Sequence, residues 1–220
     1  MSSILESWEA NAESWSAIIG AEGIESRKLV TNQAILQTIL SSGAARVLDA
    51  GCGEGWLCRA LQSHGVEACG VDGTGSLIDK AKALGTRAVS VMRFEDMVME
   101  TLPFAVDFDG VVFNFCLYED QLTRALMQAA IHWVKPGGLL FIQTLHPAFA
   151  SDTESYADGW RQENWAGLGH RFSHPYPWYF RTVSNWVNLL VESGWRILQL
   201  QEPIHPITQK PASLLLKASS

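Results

Sequence analysis

The stretch Val47-Leu48-Asp49-Ala50-Gly51-Cys52-Gly53-Glu54-Gly55 decides how the rest of the chain is read. An apolar run enters an acid, and glycine then stands at every second position. That pattern is a short buried strand breaking into a tight turn that feeds a helix. Glycine lacks a Cβ and reaches positive φ freely, so the backbone of such a turn can lie close against a ligand. The glycines alone are a weak signature. They gain weight from Asp49, two residues before Gly51, and from Asp72, which closes the next apolar run.

Upstream, Trp8, Ala12, Trp15 and Ile19 recur at helical spacing and predict a helix over 4–19. Val30, Ala34, Ile35 and Ile39 predict a second over 26–40, with Ser26 as its cap. Downstream, strands are expected over 66–72, 87–92, 109–115 and 139–145, with helices over 55–64, 77–84 and 119–133 between them. Residues 93–107 read as loop or short helix, and Lys135 to Gly138 as a turn. Thr182 caps a last helix that Gly194 ends, and 195–201 and 213–217 read as two final strands. Apolar runs alternating with helices imply a parallel sheet covered on both faces. Right-handed crossovers make it doubly wound, with ligands at the carboxyl ends of the strands. Two strands without an intervening helix are most easily an antiparallel pair.

The bulk numbers set bounds. A chain of 220 residues, 47% hydrophobic and 18% charged, suits one globular domain, 1–220, with a sizeable core. A net charge of −7 does not support a generic nucleic-acid footprint. The cysteines, Cys52, Cys58, Cys69 and Cys116, form no CxxC pair, and reduced thiols in a cytoplasmic protein are expected. The first residues do not read as a signal peptide, and no stretch reaches the length of a membrane span.

Two cofactor classes compete for a glycine turn after a first strand. The dinucleotide fingerprint GxGxxG fails here, because Trp56 stands where its third glycine belongs. The chain instead resembles the class I S-adenosylmethionine-dependent methyltransferases, of the Rossmann-like, small-molecule type. VLDAGCGEG and GVDGTGSLI resemble that family's first two motifs, and FDGVVFNFCLYE and VKPGGLLFIQTLHP its fourth and fifth strand regions. The likeness spans about residues 44–217.

That resemblance implies an α/β fold: a doubly wound, mostly parallel seven-stranded sheet with helices on both faces and an antiparallel last strand. It implies S-adenosylmethionine as cofactor and assigns residues to it. Asp72 would accept hydrogen bonds from the ribose hydroxyls. Gly51, Gly53 and Gly73 would let backbone approach the ligand, and Asp49 would orient the turn or face the ligand's ammonium. Leu77 would cover an adenine face, Phe94 and Glu95 would edge the adenine, and Asn114 would lie near the sulfonium.

The acceptor is less legible. The end of the fourth strand, Asn114-Phe115-Cys116-Leu117, lacks the [DN]PP[YF] of amino-group methylases, the prolyl-cysteine of cytosine methylases and the acids of metal-dependent enzymes. A metal-independent transfer to an O, N or C atom of a small molecule remains, with no metal site, nucleic acid or membrane involved. Residues 146–181 form an aromatic-rich insertion on the acceptor side, in which Trp160, Trp165, Tyr176, Trp178 and Tyr179 either build an acceptor pocket or lid, or simply pack. His146, following the fifth strand, is either a general base or a strand-end cap, and His170 and His174 are weaker candidates. The N-terminal region 1–42, with Trp8 and Trp15, either packs on the sheet or closes over the cofactor as a helical lid. The competing functions are a non-catalytic S-adenosylmethionine-binding partner subunit, a protein methyltransferase and an NAD-dependent oxidoreductase.

Overall fold

The computed structural model describes residues 3–148, 155–163, 165, 168 and 172–220. Phe149 and His170 lie outside the described residues. Helix α1 spans Ile4–Gly20. Its cap is a capping box: Ser3 Oγ accepts the Glu6 N–H at 3.2 Å, and the Ser3 N–H donates to Glu6 at 2.7 Å. A π-helical turn, Arg27–Thr31, runs into α2, Asn32–Leu40. Ser26 is itself helical and makes no side-chain cap, which corrects the expected start of this helix.

The remaining order is β1 (Arg46–Ala50), α3 (Trp56–Ser63), β2 (Glu67–Asp72), α4 (Gly75–Ala83), β3 (Val89–Val91) and α5 (Phe94–Met99). Then follow β4 (Phe108–Asn114), α6 (Gln121–Ala130), β5 (Val134–Leu145), β6 (Gly159–Glu163) and β7 (Tyr176–Phe180). The chain closes with α7 (Val183–Glu192), β8 (Arg196–Gln201) and β9 (Ser213–Ser219). Seven strands form one sheet in the order β3-β2-β1-β4-β5-β9-β8. Strands β1 to β5 pair parallel, and β9 runs antiparallel to both β5 and β8. This is the doubly wound sheet with an antiparallel last strand that the sequence predicts.

The apolar runs are explained by burial on both faces. In β1, Val47 joins the core under α2 and α3, where Ile35, Ile39, Leu57 and Leu61 pack. Its neighbour Leu48 joins the opposite core with Met127, Trp186 and Leu190. Leu214, Leu215 and Leu216 in β9 divide between the two faces in the same way. Both faces of these strands are apolar, so no polar alternation appears in the sequence.

Two features depart from the sequence reading. The Lys135–Gly138 segment lies within β5, because Val134 already pairs with Phe108 and the register then shifts to Gly110↔Leu139. The insertion after β5 carries a hairpin of its own, β6 against β7, in register Trp160↔Tyr179. The Tyr179 N–H donates to the Tyr118 carbonyl at 2.7 Å, which ties this hairpin to the loop after β4. Asp109, where β4 begins, accepts the Ala45 and Arg46 N–H groups at 2.9 and 2.8 Å and pairs with Lys135 at 2.7 Å. It fixes the amino-terminal ends of neighbouring strands, as its position at a strand start suggests. Among the described residues no helix is long and apolar enough to cross a membrane.

Candidate active site

The glycine turn lies beside the middle of the sheet, between β1 and α3. Gly51, Gly53 and Gly55 all have positive φ, at 79°, 55° and 77°. At Gly51 there is no room for a side chain: a Cβ would sit 2.6 Å from Cys116 Cβ and 3.1 Å from the Phe94 ring. The Gly51 and Cys52 N–H groups donate to the Val71 carbonyl, and the Gly53 N–H donates to Asp72 at 2.9 Å. The second Asp72 oxygen accepts the Thr74 N–H at 2.8 Å. The acid at the end of β2 thus organises both the glycine turn and the entrance to α4. Burial raises its pKa, against the pull of those backbone hydrogen bonds.

Asp49 is 2% exposed and lies beneath the turn. Cys58 Sγ donates to its carboxylate at 3.6 Å. Burial pushes its pKa up to about 7, and the nearby Asp72 and Glu54 push in the same direction.

These residues line a cavity of about 240 Å³. All nine residues that the sequence reading assigns to the cofactor line it: Asp49, Gly51, Gly53, Asp72, Gly73, Leu77, Phe94, Glu95 and Asn114. Asn114 Oδ1 is buried there without a hydrogen-bond partner among the described residues. Helix α1 covers one side. Leu5 lies over Gly73, where an added Cβ would meet its Cδ1 at 3.2 Å, and Glu9 accepts hydrogen bonds from the Ser76 backbone and hydroxyl.

A second cavity, of about 350 Å³, adjoins the first. The two share Trp8, Trp15, Arg27, Phe115, Leu117 and Tyr118 as lining. Phe115, directly after β4, has φ at 54°, an uncommon conformation for an aromatic residue, and its N–H donates to the Gln143 carbonyl.

Residues 24–200 match the model of a family described as a methyltransferase domain. The chain belongs to this family. Its sheet places it among the Rossmann-like class I S-adenosylmethionine-dependent methyltransferases, whose cofactor is S-adenosylmethionine. A ubiquinone biosynthesis O-methyltransferase of Xylella fastidiosa (strain M23) is 31% identical over 117 residues, 51% of this chain and 46% of that protein. The match therefore spans less than half the length of that curated relative. An S-adenosylmethionine-dependent methyltransferase from Mesorhizobium loti superposes with a TM-score of 0.63 at 22% identity, covering 84% of this chain and 95% of that one. The DhpI–SAM–HEP complex gives 0.68 at 18% identity, covering 97% and 94%. Both likenesses are at the level of the fold.

In this family member the aromatic insertion divides. Trp165, Tyr176, Trp178 and Tyr179 line the second cavity. Trp160 lines neither cavity; it is 56% exposed and rests edge-on against Tyr179 at 5.5 Å. Trp165 is buried, stacks on Phe172 at 5.2 Å, and its Nε1–H donates to Ser7 Oγ at 3.2 Å. Asn11 donates to the Ser173 carbonyl at 2.6 Å and accepts the Ser173 N–H at 2.8 Å. Helix α1 is thereby joined to the insertion as well as to α4.

His146 also lines neither cavity. It is 5% exposed, with Nε2 at 2.7 Å from Glu202 and Nδ1 accepting the Ala148 N–H. His174 carries its Nδ1 at 2.7 Å from Ser173 Oγ and is likewise absent from both linings. Among the described residues no group of three or more His, Cys, Asp or Glu side chains is placed to hold a metal.

Sequence reading missed Arg27. Its guanidinium lies 5.5 Å from the Trp15 ring and 5.2 Å from the Trp56 ring, and Nη2 is buried without a partner among the described residues. Burial lowers its pKa to about 10, against the pull of Glu54. The π-helical turn that starts at Arg27 breaks the 3.6-residue period, so helical counting from Val30 did not bring out this side chain. It also missed Arg181, which lines the second cavity.

Proposed function

We propose that this chain transfers a methyl group from S-adenosylmethionine to an O, N or C atom of a small molecule, without a metal, in the cytoplasm. The observation that carries this reading is the shared wall between a cavity built on the glycine turn and a second, aromatic cavity. The residues of the first cavity suit the cofactor. Asp72 keeps acceptor capacity at the end of β2, Gly51 keeps backbone bare, and Asn114 Oδ1 is a buried acceptor with no partner among the described residues. When bound, the cofactor supplies an electrophilic methyl on a good leaving group.

The chain's own work is then binding, orientation and exclusion of water. Asp72 is the acceptor for ribose hydroxyls, and Leu77 and Phe94 flank the adenine with Glu95 at its edge. Asp49 and Asn114 serve the cationic end of the cofactor, and Arg27 is the cation available to its carboxylate. Trp8 and Tyr118, together with the β6–β7 hairpin, shield the boundary between the cavities from solvent. No side chain is assigned as a base: His146 is engaged by Glu202 away from both cavities. A second, aromatic cavity also supports an enzyme over a partner subunit that only holds the cofactor.

Isothermal titration with S-adenosylmethionine and S-adenosylhomocysteine tests the first half, and absence of binding by either refutes it. Product release measured against a metabolite panel tests the second.

A further inference from the structure

The second cavity has a one-sided polar lining. Its walls are largely aromatic, and no aspartate or glutamate is among the described residues lining it, whereas Arg27 and Arg181 both do. Arg181 follows β7 and is 2% exposed. Its Nη2 donates to the Glu119 and Asp120 carbonyls, each at 2.9 Å, and to the Asp120 carboxylate at 3.0 Å. Its Nε and Nη1 are buried with no hydrogen-bond partner among the described residues. The Tyr179 and Trp186 rings lie 4.9 and 5.2 Å from the guanidinium carbon and hold the group in place before any ligand arrives. Thr31 Oγ1, of a residue in the same lining, is also buried with no hydrogen-bond partner among the described residues.

A buried donor without an acceptor is unfavourable, and a ligand oxygen that reaches it relieves that cost. A cationic amine would meet two guanidiniums and no carboxylate among the described residues of the lining. Asp120 already offsets part of the Arg181 charge, so the site suits a single, planar negative charge better than a phosphate dianion. The aromatic walls favour a ring on the same molecule.

We propose that the methyl acceptor is an aromatic carboxylic acid whose carboxylate is held by Arg181. This rests on the methyl-transfer reading above and names its substrate class. Burial lowers the Arg181 pKa, and a bound carboxylate would oppose that shift.

The test is a titration of the S-adenosylhomocysteine-saturated enzyme with benzoate, benzamide, benzylamine and phenyl phosphate, followed by tryptophan fluorescence. Benzoate is expected to bind at least tenfold tighter than benzamide or benzylamine, and tighter than phenyl phosphate. Arg181→Gln is expected to remove the preference while leaving affinity for S-adenosylhomocysteine within threefold. Asp120→Asn, which does not depend on the Arg181 variant folding, is expected to tighten benzoate. Equal binding of benzoate and benzamide, tighter binding of benzylamine or phenyl phosphate, or an unchanged benzoate affinity in Asp120→Asn overturns the proposal. If S-adenosylhomocysteine itself does not bind, the methyl-transfer reading fails first, and this one with it.

Discussion

The Asp72 carboxylate accepts the Gly53 N–H at 2.9 Å, joining the end of β2 to the glycine turn that follows β1. One side chain therefore shapes the turn and presents an acid to the cavity. The two roles separate on substitution. Asp72→Asn keeps one acceptor oxygen and most of the turn. It is expected to weaken S-adenosylmethionine at least tenfold while lowering Tm only modestly. Asp72→Ala also leaves the Gly53 and Thr74 N–H groups without this partner, and is expected to cost a further ~1–3 kcal/mol of stability. Isothermal titration and thermal unfolding of the two variants check this; equal donor affinity in wild type and Asp72→Asn would remove the ribose assignment.

Gly51 and Gly53 share a positive φ but differ in what surrounds them. A Cβ on Gly51 meets Cys116 Cβ at 2.6 Å, whereas on Gly53 its nearest neighbour, Leu77 Cδ1, is 4.0 Å away. Gly53→Ala should show little beyond the backbone penalty, about 1–2 kcal/mol. Gly51→Ala adds a collision in a packed site and should lose more than that. Adding Cys116→Gly to Gly51→Ala should recover part of the loss. Denaturant midpoints of the three proteins decide the matter, and a Gly51→Ala as stable as Gly53→Ala contradicts the packing argument.

The raised Asp49 pKa, about 7 against an ordinary 3.8, makes both stability and donor binding depend on pH. The folded state retains the proton longer than the unfolded chain. The contribution of Asp49 to stability is therefore full below pH 3.8, and it is lost as pH rises towards 7. Donor binding runs the other way, because the deprotonated carboxylate is the form that attracts a cation. Affinity for S-adenosylmethionine is expected to rise about tenfold from pH 5.5 to 7, a range below the titration of the donor's own ammonium. Asp49→Asn should flatten that rise and weaken binding at pH 7. A slope that persists in Asp49→Asn would assign it to another group.

Much of the sheet was legible because its signals are local. Val47 to Gly55 carries strand, turn and glycines in one stretch, and Thr182 caps α7 as its position predicts, accepting the Asn185 N–H at 3.2 Å. The cavity on the glycine turn follows from these, since strand ends and glycine turns fix where backbone comes close to a ligand. The second, aromatic cavity depends on contacts between distant segments. The β6–β7 hairpin sits where it does through Tyr179 on Tyr118 and Ser173 on Asn11, pairs with no sequence signal of their own. Aromatic residues there gave no strand alternation, because both hairpin faces carry rings: Tyr179 shares a face with its partner Trp160, and Trp178 and Phe180 lie together on the other. His146 read as either a general base or a strand-end cap from its place after β5; the chain beyond β8 brings Glu202 to it, which no local pattern reveals.

Helix α1 is held by polar contacts at both ends of the paired cavities, and this makes its role measurable. Glu9 binds Ser76 beside the glycine-turn cavity, while Ser7 and Asn11 bind Trp165, His174 and Ser173 on the insertion side. Asn11→Ala removes the reciprocal pair with Ser173 and leaves Glu9 and Leu5 in place. It is expected to raise the acceptor KM several-fold with donor Kd nearly unchanged, because the insertion loosens while the donor cavity keeps its cover. Removing residues 1–20 strips Leu5 and Trp8 as well, and should weaken the donor by an order of magnitude or more and depress turnover. The contrast between the two variants distinguishes a helix that covers the site from one that merely packs on it. Unchanged donor affinity and turnover in the truncated protein would rule out the lid.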